Sequence, residues 1–511
     1  MSTTIYRGGP VYAPEAPGAT AVLVEGAAVA WVGRAEDAPG ADFVVELDGA
    51  LVTPAFVDAH VHSTSTGLAL DGLDLAGAPS LAAALDRLER FARSRAGGIV
   101  LGTGWDETRW PERRPPTSRE LDRASYGGVV YLARADVHSA VASSALLAAV
   151  PEARGLAGFG ADGFVTLEAH HALRRAANES IPAGQRRDAQ RRTRARAAQL
   201  GIGCIHELAG PDISGERDLA GLLALAAEDP GPDVVGYWAS LNDVDVPRRL
   251  GLPGGAGDLF VDGTIGSRTA ALTERYADAD TAGDLRYSAA EIAGHILACT
   301  EAGLQAGFHV IGDRAIGAVL AGFALAADRV GLPRVVADRH RVEHVEMLAD
   351  VAELARFGVT ASVQPAFDAA WGGPSGMYAE RLGVDRARPM NPFAALAAAG
   401  VPLAFGSDSP VTPLDPWGGV RAAVHHRTES SRLPVEVAVV AATRGGWFAA
   451  GIDDAGVLRP GAPAHLAVWA PAARGAHTAG ERVAELAEAG SDCLCTVVRG
   501  TPVYTRPGVL E

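Results

Sequence analysis

The sequence predicts an α/β protein: a (β/α)8 barrel of the TIM type, joined to a small β-sandwich domain that both ends of the chain form. Three observations support this fold class. The chain has 511 residues, which is more than one small domain needs. Its middle alternates apolar, strand-like runs with Ala- and Leu-rich helical stretches, and its two ends carry short apolar runs separated by Gly and Pro.

The two ends of the chain are predicted to form one small β domain from residues 1–52 and 455–511. A strand-like run at 21–24 near the start has counterparts of the same texture at 465–469 and 495–504 near the end. Because chain ends in compact proteins often lie close together, one composite domain explains both sets of strands.

The middle of the chain, residues 53–454, is predicted to be the barrel. Its strand-like runs end in polar residues, and in a (β/α)8 barrel the active site is built at the carboxyl ends of the strands. We therefore expect the functional residues at these ends. The eight runs cover residues 56–62, 203–207, 234–238, 259–262, 306–309, 340–344, 360–364 and 403–408.

An insertion is predicted after the first barrel strand, at about residues 75–200. It contains two further strand-like runs, 98–102 and 129–133, and we expect it to cover the mouth of the barrel. Trp105 and His138 lie in its loops and are candidate substrate contacts. Ordinary loop packing explains both side chains equally well.

Composition excludes several classes of function. The formal net charge is −16 with no block of basic residues, which argues against binding to nucleic acid or to an anionic membrane surface. The N-terminus lacks the apolar core of a signal peptide, and no run reaches the roughly 20 apolar residues of a membrane helix. Four cysteines are too few for a disulfide framework. We expect a cytoplasmic protein that acts on a small molecule, and a homodimer is one option for its assembly.

The most informative short motif is His60-Val61-His62, at the end of the first barrel strand. Residues i and i+2 of a strand point to the same face, so the two imidazoles can approach one metal ion. Decoration of a polar strand surface is the alternative for such a short motif. Further ligands at other strand ends would decide between these readings.

Such ligands are present at other strand ends. His206, His309 and His344 lie at or near the ends of later strands, and Asp408 ends the last one. Imidazoles with a carboxylate form an open hydrolytic zinc site, in which the carboxylate can transfer the proton of the attacking water. Any one of these histidines alone could be a core residue bonded to a carbonyl, but together they favour a metal site.

Five ordered motifs cover residues 58–62, 262–272, 308–315, 341–344 and 406–411. Together they resemble amidohydrolase family 3, the YtcJ-like branch of the amidohydrolase superfamily that also includes N-substituted formamide deformylases. The resemblance spans about Val24 to Val503.

This resemblance implies a role for each ligand. His60 and His62 would bind a buried metal together with Asp408, whereas His309 and His344 would bind a second, more exposed one. Asp408 would also be the general base. The ion would be divalent, zinc by preference, in one or two copies.

The activity implied is hydrolysis of a carbon–nitrogen bond by metal-activated water, in a non-peptide amide, formamide or cyclic amide. The same site could act on an ester or lactone or as a deaminase, because fold does not fix function. A barrel that has lost catalysis and serves as a binding or regulatory protein is the alternative of another class.

One position departs from the family pattern. Members commonly carry a lysine, carbamylated to bridge two metal ions, four residues before the Asp-Gly pair of the fourth strand, and Asp258 stands there instead. Because aspartate is several bonds shorter, it would reach a metal only if the backbone lay closer or one ion were absent. Glu207 is a candidate replacement ligand or, alternatively, a residue that orients a ligand histidine. At least one ion is expected, and the second stays open.

Three further residues are candidate substrate contacts. Asp262 and Arg268 follow the fourth strand in a Gly-rich loop, where an arginine beside a carboxylate could orient a polar substrate group. A structural ion pair explains these two residues equally well. Gln364 ends the seventh strand and could shape the pocket.

Overall fold

The computed structural model describes residues 2–94, 97–107, 110–134, 139–211, 213–348, 350–471 and 478–509. The predicted substrate contact His138 lies outside the described residues. The chain divides into two compact units, one of residues 1–63 and 194–511 and the other of residues 64–193.

The strands are, in chain order, β1 (Thr3–Arg7), β2 (Ala21–Glu25), β3 (Ala28–Gly33), β4 (Phe43–Glu46), β5 (Leu51–Pro54), β6 (Phe56–Val61), β7 (Leu73–Asp74), β8 (Ile99–Trp105), β9 (Val129–Arg134), β10 (Ser139–Ala142), β11 (Phe164–Thr166), β12 (Ile202–Ala209), β13 (Asp233–Trp238), β14 (Gly254–Gly255), β15 (Gln305–Val310), β16 (Arg341–His344), β17 (Thr360–Val363), β18 (Leu403–Phe405), β19 (Leu466–Trp469), β20 (Cys493–Val498) and β21 (Thr501–Thr505).

The α-helices are α1 (Ser63–Leu70), α2 (Leu81–Arg93), α3 (Ser118–Ala124), α4 (Ser144–Ala149), α5 (Leu167–Glu179), α6 (Ala183–Gln199), α7 (Glu216–Glu228), α8 (Asp245–Leu250), α9 (Ala289–Ala302), α10 (Asp313–Val330), α11 (Leu332–Ala337), α12 (Val351–Arg356), α13 (Pro365–Trp371), α14 (Met377–Leu382), α15 (Val384–Ala387), α16 (Phe393–Ala398), α17 (Pro416–Val424), α18 (Val435–Ala442), α19 (Arg444–Ala449) and α20 (Ala479–Ala489).

The two ends of the chain form two four-stranded sheets, the first from the N-terminal end alone and the second from both ends. One has the order β3-β2-β1-β4, and the other has the order β21-β20-β19-β5. Side chains from both sheets, among them Val24, Val52 and Val468, belong to one buried apolar cluster. In the second sheet β5 pairs with β19, so a strand that precedes the middle of the chain is hydrogen-bonded to one that follows it. A sandwich of these two sheets stays a prediction.

Eight parallel strands lie in two sheets, β13-β12-β6 and β14-β15-β16-β17-β18. A parallel bridge between Val61 and Ser409 joins the end of β6 to the segment after β18. The amide of Asp408 also donates to the carbonyl of His60 at 2.8 Å. The strand order is therefore β13, β12, β6, β18, β17, β16, β15, β14, as a barrel requires. A closed barrel stays a prediction, because β13 and β14 belong to separate sheets.

The prediction of a fourth barrel strand at 259–262 is wrong in detail. The strand is β14, only two residues long, and at the predicted place the described chain has an isolated bridge between Phe260 and His309. A Cβ at Gly254 would lie 2.5 Å from the carbonyl oxygen of Gln305, so only glycine lets the two backbones approach this closely. Glycines carry no apolar signal, which is why the sequence pattern missed this strand.

Local sequence signals define where the helices between the parallel strands begin and end. The hydroxyl of Ser288 accepts from the amide of Glu291, whose carboxylate accepts from the amide of Ser288 at 2.8 Å, and this capping box begins α9. The helix ends at Gly303, whose φ of 69° is the left-handed conformation that glycine adopts most easily. The chain can then enter β15, which carries His309.

Residues 64–193 form their own sheet of order β11-β10-β9-β8-β7. The predicted strand-like runs 98–102 and 129–133 become β8 and β9, which pair in parallel. Trp105 ends β8 with its side chain buried, and its indole N–H donates to the carbonyl of Leu132 at 2.9 Å. The indole is therefore a packing element of this unit, and its contact with substrate stays a prediction.

Among the described residues, no helix combines the length and the apolar character needed to cross a membrane.

Candidate metal centre

His60 and His62 present the same face at the end of β6. Their Nε2 atoms lie 3.4 and 3.1 Å from Oδ1 of Asp408, which follows β18. The ends of the two strands can meet because residue 406 is glycine: a Cβ there would lie 2.5 Å from the Cβ of His60. The predicted set of His60, His62 and Asp408 is thus brought together.

Asp258 stands between two pairs of histidines. Its Oδ2 lies 3.5 Å from Nε2 of His60 and 3.2 Å from Nε2 of His62. Its Oδ1 lies 3.4 Å from Nδ1 of His309 and 3.6 Å from Nε2 of His344. One carboxylate therefore faces both predicted ligand pairs, with one oxygen toward each.

The short side chain of Asp258 reaches the centre because the backbone lies close to it. The chain leaves the sheet after β14 and passes through Gly257, whose φ is 100°. Residues other than glycine rarely adopt such a φ. A Cβ at Gly257 would also come within 3.2 Å of Leu208, so the turn is tightly packed. The sequence left open whether the backbone lies closer, and the structure places Asp258 among the four histidines.

The donor atoms fall into three groups whose members lie within 4.8 Å of one another. These groups are His60–His344–Asp408, His60–His62–Asp258 and Asp258–His309–His344. All their residues are buried except His62, which is partly buried.

Three of these atoms support a cation at the centre. Nε2 of His60, Nε2 of His344 and Oδ1 of Asp408 are buried without a hydrogen-bond partner among the described residues. Buried polar atoms are normally satisfied, because an unpaired one costs about 1–3 kcal/mol. Imidazole nitrogens with carboxylate oxygens are the donor set that zinc and similar divalent ions prefer. The residues present fit a metal ion.

The charges of the centre favour a cation. Burial raises the pKa of Asp258, but the surrounding histidines, His60 first, hold it well below its usual range. Burial likewise raises the pKa of Asp408, and His60 and His62 lower it overall. In the opposite direction, burial lowers the pKa of His62, and Asp258 and Asp408 raise it to about 10. The two carboxylates therefore stay ionised and stabilise positive charge between them.

Two of the candidate ligand residues have an uncommon backbone conformation. His344 has a φ of 72° and Asp408 a φ of 53°. For residues other than glycine this costs on the order of 1–3 kcal/mol, and such strain concentrates at functional sites. His344 is the last residue of β16 and Asp408 lies three residues after the end of β18, so both turns stand at carboxyl ends of the parallel strands.

A buried carboxylate fixes the orientation of His60. Its Nδ1–H donates a hydrogen bond to Oε2 of Glu343 at 3.0 Å, which leaves the lone pair of Nε2 available for a metal ion. Nη2 of Arg341 in turn donates to the same carboxylate oxygen at 3.0 Å and to the carbonyl of Ala59 at 2.8 Å. Burial raises the pKa of Glu343, but Arg341 and His60 lower it to about 2, so this carboxylate is ionised.

Two of the other three candidate ligand histidines are oriented in the same way. Nδ1 of His62 donates to the carbonyl of Leu208 at 3.1 Å, and Nδ1 of His344 donates to Oε1 of Gln364 at 2.7 Å. These bonds select the tautomer that leaves Nε2 free toward the centre. Gln364, a predicted substrate contact, thus bonds to a ligand residue. His309 is turned the other way, with Nδ1 toward Asp258 and Nε2 3.3 Å from the carbonyl of Gly263.

Comparison with known proteins shows the family of this chain. A model described as the amidohydrolase family matches residues 44–504. The chain belongs to the amidohydrolase family. The sequence-based prediction of this family is confirmed, and with it the prediction that the protein is an enzyme of the hydrolase class.

Three similar proteins are informative. The YtcJ protein of Bacillus subtilis (strain 168) is 26% identical over 439 residues, which cover 78% of this chain and 80% of YtcJ. The N-substituted formamide deformylase of Arthrobacter pascens is 35% identical over 137 residues, 25% of each chain. The crystal structure of a metal-dependent hydrolase from Pyrococcus furiosus has a TM-score of 0.77 at 26% identity and covers 91% of this chain and 98% of its own.

Two acidic residues of this amidohydrolase lie next to the centre without belonging to the three donor groups. Burial raises the pKa of Glu207 to about 7, and its Oε2 accepts from the amide of Ser63 at 2.7 Å. Burial raises the pKa of Asp58 to about 6, and Asp58 accepts from the amide of Ser407 at 2.8 Å. Both carboxyls hold backbone around β6, so the role of Glu207 as a metal ligand stays a prediction.

His206, the remaining histidine at a strand end, also lies outside the donor groups. Its Nδ1 accepts from Nη1 of Arg341 at 3.2 Å, and burial lowers its pKa well below the usual range. His206 is therefore a neutral core histidine that accepts a hydrogen bond from the buried Arg341.

Asp262 and Arg268, which are predicted substrate contacts, bind different partners in the protein. Asp262 is buried and accepts from the amides of Ala271, Ile311 and Gly312 at 2.9, 3.0 and 2.7 Å. Arg268 instead pairs with Asp278 at 2.6 Å on the surface. The two residues do not pair with each other, and their contact with substrate stays a prediction.

Sequence reasoning missed the roles of Glu343 and Arg341. Their signal was present, because residues i and i+2 of a buried strand share a face and a buried Arg and Glu need partners. The motif Arg-Val-Glu-His was used only for its histidine.

Proposed function

We propose that this protein is a metal-dependent amidohydrolase that cleaves a carbon–nitrogen bond of a small molecule with water activated at a two-ion centre. The substrate would be a non-peptide amide, formamide or cyclic amide. The observation that carries this proposal is the position of Asp258, whose two oxygens face His60 and His62 on one side and His309 and His344 on the other.

Asp258 takes the role of the shared ligand in this proposal. The sequence contains no lysine, since every one of its 45 basic residues is arginine, so a carbamylated lysine is not available at any position. An aspartate that faces both ligand pairs supplies the bridging negative charge directly. The centre would therefore assemble without carbon dioxide.

The ligands divide between two ions. His60, His62 and Asp408 would hold one ion, His309 and His344 the other, and Asp258 both. We propose zinc, because nitrogen-rich sites with carboxylate ligands suit it. When bound, such ions polarise a carbonyl group and lower the pKa of water toward 7.

The side chains then carry the proton transfers. Asp408 is ionised, and its carboxylate has two oxygens, so one would face the ion while the other could accept the proton of the attacking water. The same carboxyl then returns the proton to the leaving nitrogen, which departs as a neutral amine. Glu343 and Gln364 keep the rings of His60 and His344 in place throughout.

For the fold around this centre, we propose that the eight parallel strands close into a (β/α)8 barrel and that the two terminal sheets pack as a β-sandwich. The bridge at Val61 and Ser409 and the shared apolar cluster of the terminal sheets support these two arrangements.

A substrate panel tests the reaction. Zinc-loaded protein is incubated with N-formyl amines, hydantoins and lactones, and release of amine or acid is followed. We expect turnover of at least one carbon–nitrogen substrate. Turnover of lactones or esters alone would contradict the assignment, and absence of any turnover together with absence of bound metal would favour a binding protein.

Two variants test the residues. His60→Ala and Asp408→Asn should each abolish activity while the circular dichroism spectrum stays that of the wild type. The control is Asp385→Asn, which removes a carboxylate that is 96% exposed. Wild-type turnover in either test variant would refute the proposed site.

A further inference from the structure

A cavity opens beside the metal centre. Its volume is about 100 Å³, and Asp258 forms part of its wall. The rest of the wall follows the carboxyl ends of β12, β13 and β14 and includes Ser240, Phe260, Arg286 and Tyr287. The cavity thus shares a ligand residue with the centre and lies on the side of the sheet where substrates bind in this type of fold.

Arg286 is the only positively charged residue among the described residues that line this cavity. Its side chain is exposed and forms no ion pair with any described residue. The backbone amide of Arg286 donates a hydrogen bond to the carbonyl of Val261. Other arginines around the loop are engaged: Arg268 pairs with Asp278, and Arg314 donates to the carbonyl of Gly283 at 2.9 Å. Among the described residues nothing pairs with the guanidinium of Arg286, so it can meet a ligand.

The position of this guanidinium is set by an aromatic ring. Its central carbon lies 5.4 Å from the ring centre of Phe260, and that ring lies 4.8 Å from the ring centre of His309. A cation held over an aromatic face is stabilised by about 0.5–1 kcal/mol at an exposed site. The two distances place the guanidinium no farther than about 10 Å from the His309 ring.

We propose that Arg286 binds a carboxylate of the substrate, so that the enzyme acts on amides of small anionic molecules. This inference rests on the proposed function, because it places the scissile bond at the metal centre. Arginine presents paired N–H donors that match the two oxygens of a carboxylate. An extended chain rises a little over 1 Å per bond, so a spacer of about eight bonds or fewer is enough to span the roughly 10 Å between the guanidinium and the His309 ring.

The charge of the protein makes this arginine important. The formal net charge is −16, which repels an anionic substrate from the protein as a whole. A positive charge on the wall of the cavity offsets part of this repulsion. Arg286 supplies that charge on the cavity wall.

The test compares two probes that differ in charge alone. N-formyl-L-leucine carries a carboxylate, and N-formyl-L-leucinamide carries a neutral amide in its place. In Arg286→Gln, we expect the KM for the carboxylate probe to rise about 10- to 100-fold with kcat nearly unchanged, and the KM for the neutral probe to change less than about twofold. Arg286→Lys keeps the charge and should restore part of the loss. Arg275→Gln removes an arginine of the same loop, paired with Asp280 outside the cavity, and should behave as the wild type.

Equilibrium binding separates this inference from the proposed function. The dissociation constant of N-formyl-L-leucine is measured by calorimetry on the zinc-loaded wild type and on both glutamine variants. Weaker binding in Arg286→Gln than in Arg275→Gln supports the inference even if neither probe is hydrolysed, in which case only the proposed function fails. Equal loss for both probes, no loss in Arg286→Gln, or no binding of the carboxylate probe to the wild type would overturn it.

Discussion

Glu343→Gln should weaken metal binding although residue 343 lies outside the three donor groups. The substitution keeps the size of the side chain and removes its charge. In the protein, that carboxylate accepts from Nδ1 of His60 at 3.0 Å and from Nη2 of Arg341 at 3.0 Å. Both Glu343 and Arg341 are fully buried. The change therefore affects the orientation of a ligand and the balance of a buried ion pair together.

The expected magnitudes follow from these two contacts. Loss of a carboxylate that orients a metal-binding histidine costs about 10- to 100-fold in metal affinity, or about 1.4–2.7 kcal/mol. Removal of one charge of a buried pair costs about 3–5 kcal/mol of folding stability, because Arg341 is left without its counter-charge. A domain stabilised by about 5–15 kcal/mol should still fold.

Two assays separate the effects. Zinc affinity is measured by competition with a chromogenic chelator, and stability by urea unfolding of the metal-free protein. Ser362→Ala is the control, because it removes one hydrogen bond from Nη2 of Arg341, at 3.0 Å, and leaves Glu343 in contact with His60. It should lose about 1 kcal/mol of stability and no zinc affinity. Equal zinc affinity in Glu343→Gln and Ser362→Ala would refute the positioning role.

Two further predictions concern stability. Burial, and to a smaller extent His295 and Arg334, lowers the pKa of His340 to about 3, below the unfolded value of about 6.5. Between these two pH values the unfolded state binds more protons than the folded state, so the free energy of unfolding falls as the pH falls. In urea titrations, the metal-free wild type should lose about 2 kcal/mol of unfolding free energy from this residue between pH 7 and pH 5. His340→Gln should flatten this slope, whereas the exposed control His425→Gln should not. Equal slopes in all three proteins would contradict the prediction. Asp262→Asn replaces an acceptor of three backbone amides and should cost about 1–3 kcal/mol of unfolding free energy, whereas a loss below about 0.5 kcal/mol would show that those bonds do not hold the loop.

The clustering of the candidate ligands could be predicted from the sequence because their signal is local. His60 and His62 are two residues apart in a strand, and the period of two puts both on one face. His309, His344 and Asp408 end apolar runs, and parallel strands bring their carboxyl ends to one edge. No long-range distance was needed to expect them together, and the three donor groups contain all five residues.

The position of Asp258 could not be predicted, because it depends on backbone geometry. The sequence shows a carboxylate where the family has a lysine, and a fixed strand register would leave it too short. In the protein, β14 consists of two glycines and Gly257 adopts a positive φ, so the chain leaves the sheet before Asp258. Glycine-rich segments give no periodic apolar signal, and their path is decided by packing against Leu208 and Gln305.

The supporting contacts were missed for a related reason. Arg341 and Glu343 alternate with apolar residues in β16, which predicts a shared face but not what that face touches. Their partners, Ala59, His60 and Ser362, are on other strands. Only the tertiary arrangement shows that the pair orients a ligand.

The zinc content of the protein tests most directly whether Asp258 supplies the shared ligand of a two-ion centre. Protein loaded with zinc in buffer depleted of carbon dioxide, and dialysed to remove free metal, is analysed by plasma mass spectrometry. The position of Asp258 between two histidine pairs predicts about two zinc ions per chain, unchanged by added bicarbonate, and about one or fewer in Asp258→Ala. One zinc ion or fewer in the wild type, or a second ion that appears only with bicarbonate, would contradict it.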